Sequence, residues 1–346
     1  MTVLPSVAVV ILNWNGKAFL ERFLPSVCAS RYGNLSIYVA DNASTDDSLA
    51  YVASAFPQVR IIRNASNAGF AGGYNEALRQ VEADIFVLLN QDVEVEPGWI
   101  TPVIEQMEQD PSIAACQPKL RAYHNREEFE YAGAAGGWMD ILGYTFCRGR
   151  ILYTTETDRG QYDNAQDIFW ATGAALFIRS RCFFEAGGFD PFFFAHMEEV
   201  DLCWRLQRAG YRISYCPGSV VYHVGGGSLP QGNPRKLYLN FRNNLIMLRK
   251  NLHFKEQWII LSQRFVLDLL AAVKSLVSGK PKDMMAIFRA YRDYYRWRRT
   301  EEKKLPDTLP RKRLYDLQGV FHGIMIWRYY FLHKKTFREL WRPKKK

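Results

Sequence analysis

Val7-Ala8-Val9-Val10-Ile11-Leu12 is followed by Asn13-Trp14-Asn15-Gly16 and then by Lys17–Ala29, which has helical spacing. A continuous apolar, β-branched run of that length reads as a strand buried on both faces, as in parallel sheets. The same strand–turn–helix unit then returns. Leu35–Ala40 is a second strand ending at Asp41-Asn42, and Ser44 is the expected cap of a helix running to about Ala55, with Asp46 and Asp47 in its first turn. Val59–Ile62 is a third strand, and the glycine-rich loop Asn67–Gly73 opens a helix over Tyr74–Val81. Ile85–Leu89 is a fourth strand, a helix runs from Pro97 to about Gln109, and Ile113–Gln117 is a fifth strand. This repetition predicts an α/β fold, a Rossmann-like, mostly parallel sheet flanked by helices. Ligands of such sheets lie outside the carboxyl ends of the strands. Asn13, Asp41, Asn67 and Asp92 all fall at or beyond those ends.

From Arg121 to Asp167 the pattern weakens, and the segment reads as a variable loop region over the site. Order returns at Trp170–Ile178. After Gly187-Gly188-Phe189-Asp190 comes an acidic helix ending near Gly210, a C-terminal glycine stop, and later the β-like run Ser219–His223. Beyond about Pro234 the chain reads as mainly helical, basic and aromatic.

The 346 residues carry a net charge of +10, unevenly spread. Residues 251–346 hold 23 of the 45 Lys and Arg but 9 of the 35 Asp and Glu, which leaves the first 250 residues at −4. An acidic-leaning body and a basic extension are expected, divided as 1–235 and 236–346. At 48% hydrophobic residues, a disordered chain is excluded. The six cysteines form no CxxC pair and read as reduced core residues of a cytosolic protein. Met1–Pro5 has no basic n-region, so no signal peptide is expected. Trp258–Val277 contains Arg264, Asp268 and Lys274, and so reads as an amphipathic helix rather than a membrane span.

Five residues are candidates for the chemistry. Asp92 ends the run Ile85–Gln91, where a carboxylate at a strand end can hold a cation. His223 ends another strand and can supply a second ligand. Magnesium and manganese take few protein ligands when phosphate oxygens supply the rest, and such a cation neutralises a leaving diphosphate as a Lewis acid. Glu198-Glu199-Val200-Asp201 opens the acidic helix and offers a general base. Glu198 and Asp201 share a helix face, while Glu199 points about 100° away. Adjacent carboxylates raise one another's pKa, which suits a base near neutral pH. The competing reading is plain: acids at a helix start are favourable without catalysis. Gly69–Gly73 matches neither a dinucleotide fingerprint nor a P-loop. Gly225-Gly226-Gly227 is either a turn or a flap closing on a ligand.

Taken in order, Val10–Gly16, Asp41–Asp46, Asn67–Gly73, Leu88-Leu89-Asn90-Gln91-Asp92, Glu198–Arg205 and His223–Ser228 resemble the motifs of inverting family 2 glycosyltransferases of GT-A fold, rhamnosyltransferase-like bacterial members above all. The likeness runs from about Val7 to Leu248. It implies that Asp41 faces the nucleotide base and that Asn13 and Asn67 line its pocket. It places Asn90-Gln91-Asp92 on the family's metal-binding DxD, with Asn90 in place of the first acid and Asp92 the retained ligand. His223 becomes the late metal ligand, and Trp170 and Gly173 lie near the donor sugar or acceptor. Glu199 falls on the catalytic base where the family has Asp. Glu is one methylene longer, so Glu198 and Asp201 remain candidates. The implied reaction is one direct displacement from a dTDP- or UDP-sugar, assisted by Mn2+ or Mg2+, with rhamnose favoured, onto a lipid-linked or glycan acceptor in bacterial surface polysaccharide synthesis. A sugar nucleotidyltransferase would need an Arg- and Lys-containing glycine-rich loop after the first strand, which Asn13–Gly16 is not. A catalytically inactive nucleotide- or glycan-binding scaffold of the same fold is the alternative.

The extension interleaves cations and aromatics, as in Tyr291-Arg292-Asp293-Tyr294-Tyr295-Arg296-Trp297-Arg298-Arg299, and adds Trp258, Trp327 and Trp341. That pattern predicts a cytoplasmic protein held peripherally on the anionic inner face of the cell membrane. No nucleic-acid motif accompanies it, so no nucleic-acid partner is expected.

Overall fold

The computed structural model describes residues 4–225, 232–302 and 309–341. Gly226-Gly227 of the expected flap, the Met1–Val3 start and the basic Pro343–Lys346 end lie outside the described residues. The first half alternates as read: β1 (Val7–Asn13), α1 (Lys17–Cys28), β2 (Leu35–Asp41), α2 (Ser48–Ala55), β3 (Arg60–Arg63), α3 (Gly69–Leu78) and β4 (Ile85–Asn90). The short β5 (Val93–Val95), α4 (Ile100–Gln109) and β6 (Ile113–Ala122) follow.

Strands β1 to β4 pair in parallel in the order β3-β2-β1-β4. Register puts Asn13 beside Asp41 and Leu12 beside Asn90, so three polar strand ends share one edge. Alternation along β1 explains the two-sided burial. Val7, Val9 and Ile11 pack with α1 and α4, while Ala8 and Val10 pack with α3 and the helix of Glu198 on the other face.

Two local expectations fail for identifiable reasons. Helix α2 starts at Ser48, not after Ser44, because the Ser44 hydroxyl is occupied by Asn13 Nδ2 and the Asn15 backbone N–H. The glycines from Gly69 on lie inside α3 rather than ahead of it. Their missing side chains let the helix close on its neighbours: a Cβ on Gly73 would stand 2.9 Å from Asn42 Oδ1, and Gly69, at φ +72°, abuts the Phe194 carbonyl.

The expected loop region is instead built. It contains β7 (Gly137–Asp140), β8 (Thr145–Cys147), β9 (Arg150–Ile151), β10 (Thr154–Thr155) and β11 (Gln166–Asp167). The first four form a second sheet, closed on its far edge by β14 (Val320–Phe321), which pairs in parallel with β7. Strands of two to four residues carry no legible period, so only tertiary pairing defines them. The main sheet gains β12 (Ala175–Arg179), antiparallel between β4 and β6. It continues, after α5 (Ser180–Glu185) and α6 (Glu198–Arg208), with the long β13 (Arg212–His223).

Three helices follow, α7 (Pro234–Asn251), α8 (Phe254–Val277) and α9 (Pro281–Thr300). Leu245–Leu248 of α7 join the same apolar cluster as Trp204 and Phe169 of the body. Among the described residues the end of the chain is less helical than expected, with a 3-10 turn (Leu314–Asp316) and the short α10 (Met325–Tyr330) and α11 (Phe337–Trp341) beside β14. All six cysteines are free thiols, and no helix among the described residues is long and apolar enough to cross a membrane.

Candidate active site

At the strand ends, polar side chains satisfy one another. Buried Asn13 sends Nδ2 toward Asp41 Oδ1 (3.0 Å), Ser44 Oγ (3.1 Å) and Ser48 Oγ (2.9 Å). Asp41 Oδ2 accepts from the Ser44 backbone N–H at 3.0 Å, so both of its oxygens are engaged. Asn42 Nδ2 donates to Asn67 Oδ1 and to the Gly69 carbonyl, each at 3.0 Å, which ties the β2 end to the α3 start. Gly16 closes the wall, since a Cβ there would strike Gln91 Oε1 and Asn13 Oδ1. Asn13 Oδ1 itself is buried without a partner. A cross-linked polar wall of this kind is rigid and presents fixed donors and acceptors.

Asp92 and His223, 131 positions apart, meet because β5, which begins at Val93 just after Asp92, pairs antiparallel with β13 and sets Val93 opposite His223. His223 Nε2 stands 3.2 Å from Asp92 Oδ1 and 3.4 Å from Asn90 Nδ2. On its other side Nδ1 is 3.3 Å from Glu130 Oε1, inside ion-pair range but off the hydrogen-bonding angle, so that link is electrostatic. Burial alone would lower the His223 pKa, but the Asp92 and Glu130 carboxylates overcome it and raise it to about 10. Glu130 was not read from the sequence. It lies in the unpatterned 121–167 segment, and its other oxygen takes the Ala132 backbone N–H at 2.5 Å. Buried carboxylates beside a histidine commonly set which ring nitrogen faces a metal.

The donor set fits a divalent cation with few protein ligands. One carboxylate and one imidazole nitrogen converge, and among the described residues no group of three His, Cys, Asp or Glu forms an all-protein cage. Further ligands would then come from a bound diphosphate.

The start of α6 is built differently. Phe194, His196 and Met197 all have positive φ (63°, 71° and 72°), strained for residues with side chains. The loop is held by α7. Asn243 Nδ2 lies 2.9 Å from the Phe193 and Ala195 carbonyls and 2.7 Å from that of His196, while Arg242 Nη2 donates to the Phe192 and Phe193 carbonyls. Neither residue carries a sequence signal, since both sit in what reads as a basic extension. His196, with Nε2 enclosed and unpartnered, is pushed down to about 4 by burial and by Lys236.

Glu198 is buried, with Oε2 unpartnered. Burial first, then the charges of Glu199 and Asp201, push its carboxyl well above the usual range. Glu199 keeps part of its side chain accessible, yet its Oε2 is enclosed and unpartnered. Burial raises it to about 7, and backbone amides of the first turn temper the rise. Asp201 differs: although buried, it is held below its usual value by Lys250 (3.0 Å), Arg205 (2.9 Å) and Asn251 (2.8 Å). Burial first, and then the charges of Glu130 and Glu199, raise the pKa of the buried Cys147 thiol, while Arg150 opposes the rise.

Trp170 does not join these residues. It is 5% exposed, its ring covers Gly137, and its Nε1 donates to the Trp138 carbonyl at 3.1 Å. Gly173 abuts Phe70 of α3, where a Cβ would stand 2.8 Å from the ring.

The chain is similar to known proteins in sequence and in fold. The family model for Glycosyl transferase family 2 matches residues 8–180, half of the chain. An N-acetylglucosaminyl-diphospho-decaprenol L-rhamnosyltransferase of Mycobacterium tuberculosis is 29% identical over 262 residues, 71% of this chain and 84% of that protein. A pre-mycofactocin glycosyltransferase of the same species is 25% identical, over 63% of this chain and 42% of its own length. Among solved structures, GalNAc-T7 with UDP, GalNAc and Mn2+ superposes with a TM-score of 0.59 at 16% identity, covering 90% of this chain and 59% of that one. The mannosyltransferase PcManGT of Pyrobaculum calidifontis with GDP-Man and Mn2+ gives 0.51 at 14% identity, covering 85% and 88%. These structural likenesses establish the GT-A fold.

Proposed function

The chain belongs to glycosyl transferase family 2, and from that premise we propose that it moves a sugar, rhamnose from a dTDP-sugar in the first instance, onto a lipid-linked diphosphate acceptor in bacterial envelope polysaccharide synthesis, with inversion at the anomeric carbon. The observation that carries this reading is the meeting of Asp92 Oδ1 and His223 Nε2 at 3.2 Å, beside Asn90, at the carboxyl edge of the parallel sheet. The likeness to a rhamnosyltransferase supports rhamnose as the sugar and a lipid-linked diphosphate as the acceptor class.

In this account the Asn13–Asp41–Ser44 wall and the Asn42–Asn67 link receive the nucleotide, with Gly173 and Phe70 at the inner wall. Asp92 and His223 are the residues that would hold Mn2+ or Mg2+, which would supply Lewis-acid neutralisation of the leaving diphosphate. Glu130, 3.3 Å from Nδ1, would orient the His223 ring and leave Nε2 available as a ligand. Glu199, raised to about 7, takes the proton from the acceptor hydroxyl as its oxygen attacks the anomeric carbon and the bond to the diphosphate breaks. No nucleophilic residue is required. Glu198 keeps a proton and holds its neighbour's surroundings dry. Asp201, already neutralised by Lys250 and Arg205, anchors α6 to α7 instead of accepting a proton. Residues 236–346 form the region that holds the enzyme peripherally at the cytoplasmic face, where a lipid-linked acceptor resides.

The test is nucleotide release from dTDP-, UDP- and GDP-sugars with a short-chain polyprenyl-diphosphate sugar as acceptor, with and without Mn2+ or Mg2+. Metal-dependent release from one donor, lost in Asp92→Ala, is expected. Nucleotide binding without turnover under any pairing would contradict the proposal and favour a binding scaffold.

A further inference from the structure

Helix α8 is inside out. The side chains it buries are Gln257, Ile260, Arg264, Asp268 and Ala272, a stripe at three- and four-residue spacing that is mostly polar. Arg264, 3% exposed, donates to the Leu142 carbonyl and to Asn244 Oδ1, and its guanidinium lies 3.8 Å from the Tyr144 ring centre. Asp268, 1% exposed, accepts from Tyr291 Oη at 2.8 Å and from Tyr144 Oη at 3.2 Å. The polar side of the helix is therefore fixed against the protein.

Its apolar side faces outward. Trp258 is 81% exposed and Val277 82%, and Ile259, Phe265, Leu270 and Val273 lie between them at the surface. A helix of 24 residues is about 36 Å long, so this is an extended strip of aliphatic and aromatic surface rather than one stray side chain. The adjoining α9 supplies the charge. Lys282, Arg289, Arg292, Arg296, Arg298 and Arg299 are exposed along it, whereas the acids of the two helices are fewer and more covered: Asp268 is buried, and Glu256, Asp283 and Asp293 are half-buried, with Asp293 paired to Arg292 and Arg296. At the other end the Lys274 ammonium sits 4.9 Å from the Tyr330 ring centre, which joins the strip to exposed Trp327 and Phe331.

We infer that the outward face of α8, flanked by the cations of α9, is a docking surface for an anionic lipid bilayer, with α8 lying in the interfacial plane. The inference deepens the peripheral attachment proposed above and rests on it. Charge complementarity selects the occupant. Long apolar side chains beside a surplus of exposed lysine and arginine over half-buried acids match acyl chains beneath anionic headgroups. A second copy meeting this face by twofold symmetry would set the same cations against one another. Orientation follows: the polar stripe of Arg264 and Asp268 points away from the bilayer, toward Tyr144 and the second sheet.

Co-sedimentation of the full chain with phosphatidylcholine vesicles, with and without phosphatidylglycerol, tests this. Wild type is expected in the pellet with the anionic vesicles, less so at higher salt. The double variant Leu270→Glu with Val273→Glu, both exposed and outside the sugar-transfer machinery, is expected to partition at least ~10-fold more weakly. Its unfolding midpoint and its nucleotide release without vesicles should match wild type. Wild type left in the supernatant, equal binding to neutral vesicles, or a double variant that binds like wild type would each overturn the inference. A dimer in analytical ultracentrifugation that the double variant abolishes would assign the face to a second copy and overturn it likewise. Nucleotide release measured on the same preparations separates the outcomes: release without vesicle binding defeats the docking surface and leaves the transferase reading standing.

Discussion

At the ends of β1 and β2 almost every polar group has a partner: Asn13 with Asp41, Ser44 and Ser48, and Asn42 with Asn67 and Gly69. At the start of α6, Glu198 Oε2 and Glu199 Oε2 are enclosed with none, on a loop with three side-chain-bearing residues at positive φ. In the proposed reaction the contrast would divide the labour. A satisfied network holds a ligand in place without moving, whereas an unsatisfied carboxylate has its pKa raised and so can exchange a proton near neutral pH. Strain at the second wall is maintained from outside it, by Arg242 and Asn243 of α7.

Breaking the proton-exchanging wall should have the largest effect. Glu199→Gln is expected to lower kcat by ~10²–10⁴-fold while leaving nucleotide affinity, measured by calorimetry, unchanged. A loss of affinity with kcat intact would move Glu199 to the binding wall. Glu130→Gln should weaken Mn2+ binding by roughly 10–100-fold, read from the free Mn2+ signal in electron paramagnetic resonance. An unaltered Mn2+ affinity would show that Glu130 does not aim His223.

Smaller effects sharpen the contrast. Asn243→Ala removes the donor shared by three loop carbonyls, and the stability lost in urea unfolding should be about 1–3 kcal/mol. A fall in kcat should accompany it, because the loop aims Glu199. Lost stability with normal turnover would make Asn243 a packing residue only. Glu198→Gln probes the cost of the buried acid. Its folded pKa is raised, so the folded state holds the proton more tightly than the unfolded chain, and its contribution to stability falls as pH rises above the ordinary 4.5. The variant should therefore gain roughly 2–4 °C in Tm at pH 8 and nothing at pH 4. Equal shifts at both pH values would rule out ionisation as the cause.

The binding wall was largely legible. A continuous apolar run announces a strand buried on both faces, and Asn13, Asp41 and Asp92 mark where such strands end. The other wall was only half visible. Glu198, Glu199 and Asp201 stand out as an acidic helix start, but sequence gives no hint that Lys250 forms an ion pair with the third and Asn251 donates a hydrogen bond to it. Positive φ at Phe194, His196 and Met197 carries no glycine to betray it. Glu130 sits among strands too short to show a period, and the packing of Trp170 on Gly137 has no sequence signal. Helix α8 was recognised as amphipathic, but periodicity alone does not say which face turns inward. Arg264, bonded to Asn244 and Leu142, decides that.

The most direct measurement is the pH dependence of kcat for sugar transfer in wild type, Glu199→Gln and Glu198→Gln. Wild type should rise with pH through about 7 to a plateau, because the base acts when ionised. Glu199→Gln should lose both the rate and that ionisation, and Glu198→Gln should keep the rise. A Glu199→Gln enzyme that retains the wild-type rate and profile, with Glu198→Gln inactive, would contradict the account.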